Sequence, residues 1–349
     1  MSNDYKAFIR SIFGEGEYSY LDEPMYNYYR LYSEEIVNKL NEANKLENLN
    51  KFEFSYKESP SVNAFSSCKN YMDKIQITRG VVERSYQLFN SFIVCFPDFK
   101  KFDENNSKIG VMFKFQMGEE YGHASYDLIV QIPLKKEQKE IAEILTTIAV
   151  KFTILHEIGH LYNGHIAYLN EMKERKIPVS DLEHLTMEMD ADAFAITRIV
   201  EEIISQFINI KVGTGFYLIN YEYDLIKIVA VSIFGVIQLI YSDYGDRKLA
   251  GTKQLPVEYR IANALGCIEG NIDRLKLPGI DRKYINECIY SCAVSLNQFY
   301  FAVYEKKKDI NEFIKYFTEY NSNIDKDIKN TWKSLRVKLH NHARCRLAD

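Results

Sequence analysis

The sequence predicts an α+β protein, mostly helical with a small sheet, and two patterns carry that expectation. Apolar residues Ile141, Leu145, Ile148, Phe152, Leu155 and Gly159 step by three or four, which puts them on one face of a long helix. Short alternating runs at Phe52–Tyr56 and Lys74–Thr78 read instead as strands, whose side chains point to opposite faces in turn. No period of 20–50 residues repeats, so a solenoid is excluded.

The elements follow in order. The first fifty residues are rich in Tyr, Asn and Glu, and Leu31, Ile36 and Leu40 give YRLYSEEIVNKLNEANKLENL a helical spacing. Gly80 punctuates the strand that ends at Thr78, and VVERSYQLF then reads as helical. The polar stretch 97–108, PDFKKFDENNSK, is a surface-loop candidate. IGVMFKFQ (109–116) and SYDLIVQI (125–132) suggest an antiparallel hairpin with a long loop. After Pro133 the long helix begins, and Gly164 is its stop signal. Ser180-Asp-Leu-Glu183 fits a capping box and opens a second long helix through DLEHLTMEMDADAFAITRIVEEII. From about residue 220 the pattern is helical to the end. The expected organisation is a helical extension over 1–50, a catalytic unit over 51–265 and a helical extension over 266–349.

Composition narrows the function classes. With 349 residues, 46% hydrophobic and 26% charged, the chain has the makeup of a folded protein and ample length for a core. Lys+Arg 44 against Asp+Glu 48 leaves a net charge of -4 and no broad basic field, so nucleic acid is not the expected partner. The six cysteines are scattered without a CxxC pair, as in a reduced cytoplasmic protein. The opening residues lack a signal-peptide pattern, and a cytoplasmic location is expected. The longest apolar run, Ile228 to Tyr241, is shorter than the ~20 residues that span a bilayer. It is expected to be a buried core helix, without membrane association.

The residues that carry chemistry lie on the first long helix. His156-Glu-Ile-Gly-His160 is an HExxH motif. Residues i and i+4 sit one turn apart on one helix face, so two imidazoles can converge on one metal ion. Glu157, beside the first ligand, can take the proton of an attacking water. Catalytic zinc uses three protein ligands and one open position, so a third ligand must come from elsewhere. Glu188 in EMDADAFA (188–195) is the strongest candidate. Asp192, one turn on, could accept the outer N–H of a ligand histidine. His165 and His184 are the alternatives for the third position, although HEIGHLYNGH does not match HExxHxxGxxH. Small residues Ala191, Ala193 and Ala195 would let the two helices approach closely.

Other groups read as structure. Cys288 and Cys292 are four apart and suit core packing, His123 a turn, and His340, His342 and Cys345 a frayed basic helix end. There is no phosphate loop and no nucleophile elbow.

HEIGH followed by EMDADAFA resembles the M48-type zinc metallopeptidases, gluzincins whose pattern is HExGH and then an ExxAD helix. SPSVNAFSSCKNYMDKIQITRGVVE (59–83) looks like that family's Asn-Ala-Phe stretch, short strand and Gly-led helix. LPVEYRIANAL (255–265) is similar to its His-Pro-x-x-x-x-Arg-Ile segment. The resemblance implies a zincin-like fold, with Zn2+ bound by His156, His160 and Glu188. It also implies Glu157 as base, Asp192 behind a ligand, and Arg260 in an oxyanion-stabilising or structural role. Two departures stand out: Leu255 replaces the family's histidine before Pro256, and the membrane spans are missing. The two motifs also resemble soluble bacterial peptidases of the ImmA kind and the Lit phage-exclusion kind, which cleave a cytoplasmic protein on a signal. The expected activity is therefore hydrolysis of a protein or peptide substrate, with an activating protein partner for the triggered kind. A zincin-fold sensor without turnover is the alternative that Leu255 supports. By position before the motif helix, SYDLIVQI is expected to line the cleft and pair with substrate.

Overall fold

A computed structural model of the chain describes residues 23–46, 49–59, 61–69, 72–95, 113–117, 126–130, 136–210, 222–243, 257–275, 282–303 and 323–347. It is mostly helical with a small sheet, as the periodicities predict. The loop expected at 97–108, His123 and Leu255 lie outside the described residues.

Helix α1 (Glu23–Leu46) leads into β1 (Phe52–Lys57), β2 (Ala64–Lys69) and β3 (Met72–Thr78). The sheet order is β1-β3-β2, with β3 central, parallel to β1 and antiparallel to β2. Phe54 pairs with Ile75 across the parallel ladder. The alternation in β3 buries Ile75 and Ile77 completely. Helix α2 (Arg79–Cys95) follows directly, as the residues after Thr78 predict. The expected hairpin is β4 (Phe113–Met117) with β5 (Tyr126–Val130), antiparallel with Phe115 opposite Leu128. It forms a separate two-stranded sheet, and β2 and β3 are the strands that pack on the motif helix.

That helix is α3 (Lys136–Tyr162), followed by α4 (His165–Glu174) and α5 (Asp181–Ile210). The capping box of α5 closes as predicted. Glu183 N donates to Ser180 Oγ at 3.2 Å, and Ser180 N donates to Glu183 Oε2 at 3.0 Å. Helices α6 (Glu222–Asp243), α7 (Val257–Leu275), α8 (Arg282–Val303) and α9 (Asn323–Leu339) complete the described elements. The Ile228–Tyr241 run lies in α6, which packs against α2, α3, α7 and α8 and is therefore apolar on every side. Among the described residues no helix is long and apolar enough to cross a membrane. One hydrophobic core runs without a break from Tyr26 in α1 to Phe299 in α8, and Cys292 packs in it.

Two expectations need correction. The buried face of α1 is not set by Leu31, which is 57% exposed, but by Tyr26, Tyr29, Ser33 and Val37. A tyrosine buries a large ring when its hydroxyl finds a partner, and Tyr29 Oη reaches the Glu143 carbonyl at 3.3 Å. The chain after α9 is not a frayed end. Arg344 N donates to the Tyr162 carbonyl at 2.7 Å, and its guanidinium forms a two-pronged ion pair with Asp73. Asp73 is fully buried on β3, where an unpaired carboxylate would be costly, so Arg344 draws the tail inward. His342 pairs with Glu171 at 3.0 Å, and Cys345 Sγ lies 3.3 Å from Asn163 Oδ1.

Candidate metal centre and active site

The site is built where α3 crosses α5. Gly159 sits against Ala191, and a methyl group at Gly159 would lie 3.2 Å from the Ala191 Cα. Ala191 and Ala195 are both fully buried. Glycine on one helix and alanine on the other thus let two backbones come close enough for side chains from both to meet.

At this crossing His156, His160 and Glu188 converge, the one group of potential metal ligands of its kind among the described residues. The two imidazole Nε2 atoms are 3.1 Å apart. Glu188 Oε2 is 3.5 Å from His156 Nε2, and Glu188 Oε1 is 3.4 Å from His160 Nε2. Neighbouring donors of a tetrahedral zinc ion, with bonds of about 2.0–2.1 Å, stand about 3.3–3.4 Å apart. Two imidazoles and a carboxylate at these spacings therefore fit zinc, and they leave one tetrahedral vertex to a substrate or water.

The electrostatics of the triad favour a cation. Burial works against charge on His156, but Asp192 and Glu188 outweigh it and raise the pKa to about 10. Burial likewise disfavours the Glu188 carboxylate, and His160 and His156 overcome this to hold it well below the usual range. Two carboxylates thus face the histidine pair and favour a positive charge there, as a metal ion would supply.

Each histidine turns its other nitrogen to a different partner. His156 Nδ1 lies 2.8 Å from Asp192 Oδ1. Asp192 is fully buried and is clamped by Arg260, whose Nε donates to Asp192 Oδ2 at 2.7 Å while Nη2 donates to Oδ1. Burial raises the Asp192 pKa, but Arg260 and His156 bring it below the ordinary value. Arg260 Nη1 also stands 3.8 Å from Glu188 Oε2.

His160 Nδ1 lies 3.0 Å from His165 Nδ1. His165 is fully buried, and burial lowers its pKa. Its Nε2 approaches Asp190 Oδ2 at 3.1 Å, and the same carboxylate oxygen accepts from Asn163 Nδ2. Neither His165 nor His184 belongs to the converging group. His165 stands behind His160 because the chain turns at Gly164 (φ 81), which starts a new helix axis and points residue 165 back at the end of α3. Glu157, next to the first ligand, is 7% exposed.

Sequence reading named His156, His160, Glu188 and Asp192 and, by resemblance, Arg260, and these five side chains lie together in the structure. It missed Asp190 and Asn163. The available signal was the left-handed glycine after Asn163, which makes a simple helical extrapolation to His165 fail.

A sequence model of the Peptidase U49 family matches residues 62–276, more than half of the chain and all of the site. The chain belongs to the peptidase U49 family. Membership makes it a peptidase, a hydrolase of peptide bonds. No curated protein and no solved structure gives a significant match.

Proposed function

We propose that this U49 peptidase is a zinc-dependent endopeptidase, with His156, His160 and Glu188 as the residues that hold the metal. The observation that carries the reading is the spacing of the three donors, 3.1, 3.5 and 3.4 Å, which matches the edges of a zinc tetrahedron. When bound, zinc supplies a Lewis acid that polarises a scissile carbonyl and lowers the pKa of water to about 7. Glu157 acts as general base: it takes the proton of the attacking water and passes it to the leaving amine. Asp192 accepts the Nδ1–H of His156 and so keeps the Nε2 lone pair directed at the metal. Arg260 is engaged with Asp192 on two nitrogens, which supports a positioning role over direct stabilisation of an oxyanion.

The substrate is proposed to be a cytoplasmic protein. The likeness of HEIGH and EMDADAFA to the ImmA and Lit kinds supports this, and extends it to a peptidase that stays quiet until a phage or host factor binds. Leu255, where the M48 pattern has histidine, favours a second reading: a metal-holding sensor without turnover.

Elemental analysis of purified protein is the test. About one zinc per chain is expected in wild type, with loss in Glu188→Ala. Glu157→Gln is expected to keep the zinc and abolish cleavage. Zinc-free wild type, purified without chelators, would overturn the metal assignment. Cleavage unchanged in Glu157→Gln would overturn the role of the base.

A further inference from the structure

We propose that His165 is a positioning residue for the second metal ligand, accepting a hydrogen bond from His160. The inference rests on the zinc-binding reading above and deepens it.

His160 Nε2 points into the triad, 3.1 Å from His156 Nε2 and 3.4 Å from Glu188 Oε1, and must offer a lone pair to bind metal. Its one remaining proton then sits on Nδ1. That nitrogen faces His165 Nδ1 at 3.0 Å. Two ring nitrogens can share a hydrogen bond only when one is bare, so His165 carries its proton on Nε2. That nitrogen lies 3.1 Å from Asp190 Oδ2 but outside hydrogen-bond geometry. Asn163 donates to the same oxygen and holds the carboxylate in place.

The arrangement differs from the usual one, in which a ligand histidine leans on a carboxylate, a carbonyl or water. Here a neutral imidazole is interposed, fully buried, so no water can replace it without a cavity. His165 can take this place only because Gly164 breaks the helix with a positive φ of 81°. The tail supports that turn, since His342 packs on Gly164 and Arg344 N bonds to the Tyr162 carbonyl.

The test uses the full chain, labelled with 15N-histidine and loaded with zinc. Long-range 1H–15N correlation spectra are expected to show His160 protonated on Nδ1 and His165 on Nε2. Zinc affinity, from chelator competition, is expected to fall about 10–100-fold in His165→Phe. It should return to within a few-fold of wild type in His165→Asn, whose Oδ1 can accept from His160. A proton on His165 Nδ1 in the zinc-loaded wild type would overturn the proposal, and so would undiminished affinity in His165→Phe. The spectra decide even where His165→Phe does not fold. Wild type that takes up no zinc would overturn the underlying metal reading together with this one. Zinc bound with the other tautomer would overturn this proposal alone.

Discussion

His156 leans on a buried carboxylate that an arginine clamps from the other side, whereas His160 leans on a second imidazole held by a turn and a chain terminus. On the first side, every partner lies on a regular helix: His156 on α3, Asp192 on α5, Arg260 on α7. On the second, the partners sit at the α3–α4 turn and on α5, and the turn is braced from behind by residues 342–345. The first support is an ion pair in the core. The second depends on backbone geometry, and this difference predicts how each side fails.

Asp192→Ala should have the largest effect. It leaves Arg260 buried without its main carboxylate, and breaking a buried pair from one side costs about 3–5 kcal/mol. Urea denaturation would show this loss, and zinc affinity should fall with it. A loss of stability below about 1 kcal/mol would mean that the Arg260 clamp contributes little.

Gly164→Ala should come next and probes the other side. A side chain at φ 81 is strained, at about 1–2 kcal/mol, and the new methyl would lie 2.6 Å from the His342 backbone. The tail must move, and the turn with it. The expected result is a clear drop in the urea midpoint with weaker zinc binding. Wild-type zinc binding in this variant would separate the turn from the metal site.

The smallest effect is reserved for the start of α5, remote from both histidines' partners. Burial tends to raise the Glu183 pKa, but Lys338 at 2.7 Å and Ser180 overcome it and bring it from 4.5 to about 2. A carboxyl depressed in the folded state stabilises once it is ionised. Its contribution is full above about pH 4.5 and is lost as pH falls through about 2. Wild type should therefore exceed Glu183→Gln by about 1 kcal/mol or less near neutral pH, and the two should converge in acid. A difference that persisted at pH 2 would refute the assignment to charge.

The unequal legibility of the two sides has a physical cause. The HExxH spacing and the EMDADAFA helix are read with helical periods, and a helix fixes which residues share a face; Arg260 is read only through the resemblance of its segment to the M48 pattern. The capping box likewise announces itself locally, because Ser180 and Glu183 bond to each other's backbone. In α1, Ile36 and Leu40 pack against the core as their spacing predicts, and Leu31 alone does not. Leu31 is the more apolar residue, but Tyr29 goes inside because a carbonyl on another helix is there to receive its hydroxyl.

By itself, then, the sequence determined the described helices, the face on which His156 and His160 stand, and the face that Glu188 shares with Asp192, since all of these follow from short-range geometry. Only the tertiary structure decided that His165 faces His160 from outside the converging group, and that the C-terminal tail braces the turn beside it. Those outcomes depend on which groups a left-handed glycine and a buried carboxylate bring together across the chain. Asp73 and Arg344 lie 271 residues apart, and no local pattern in the sequence connects them.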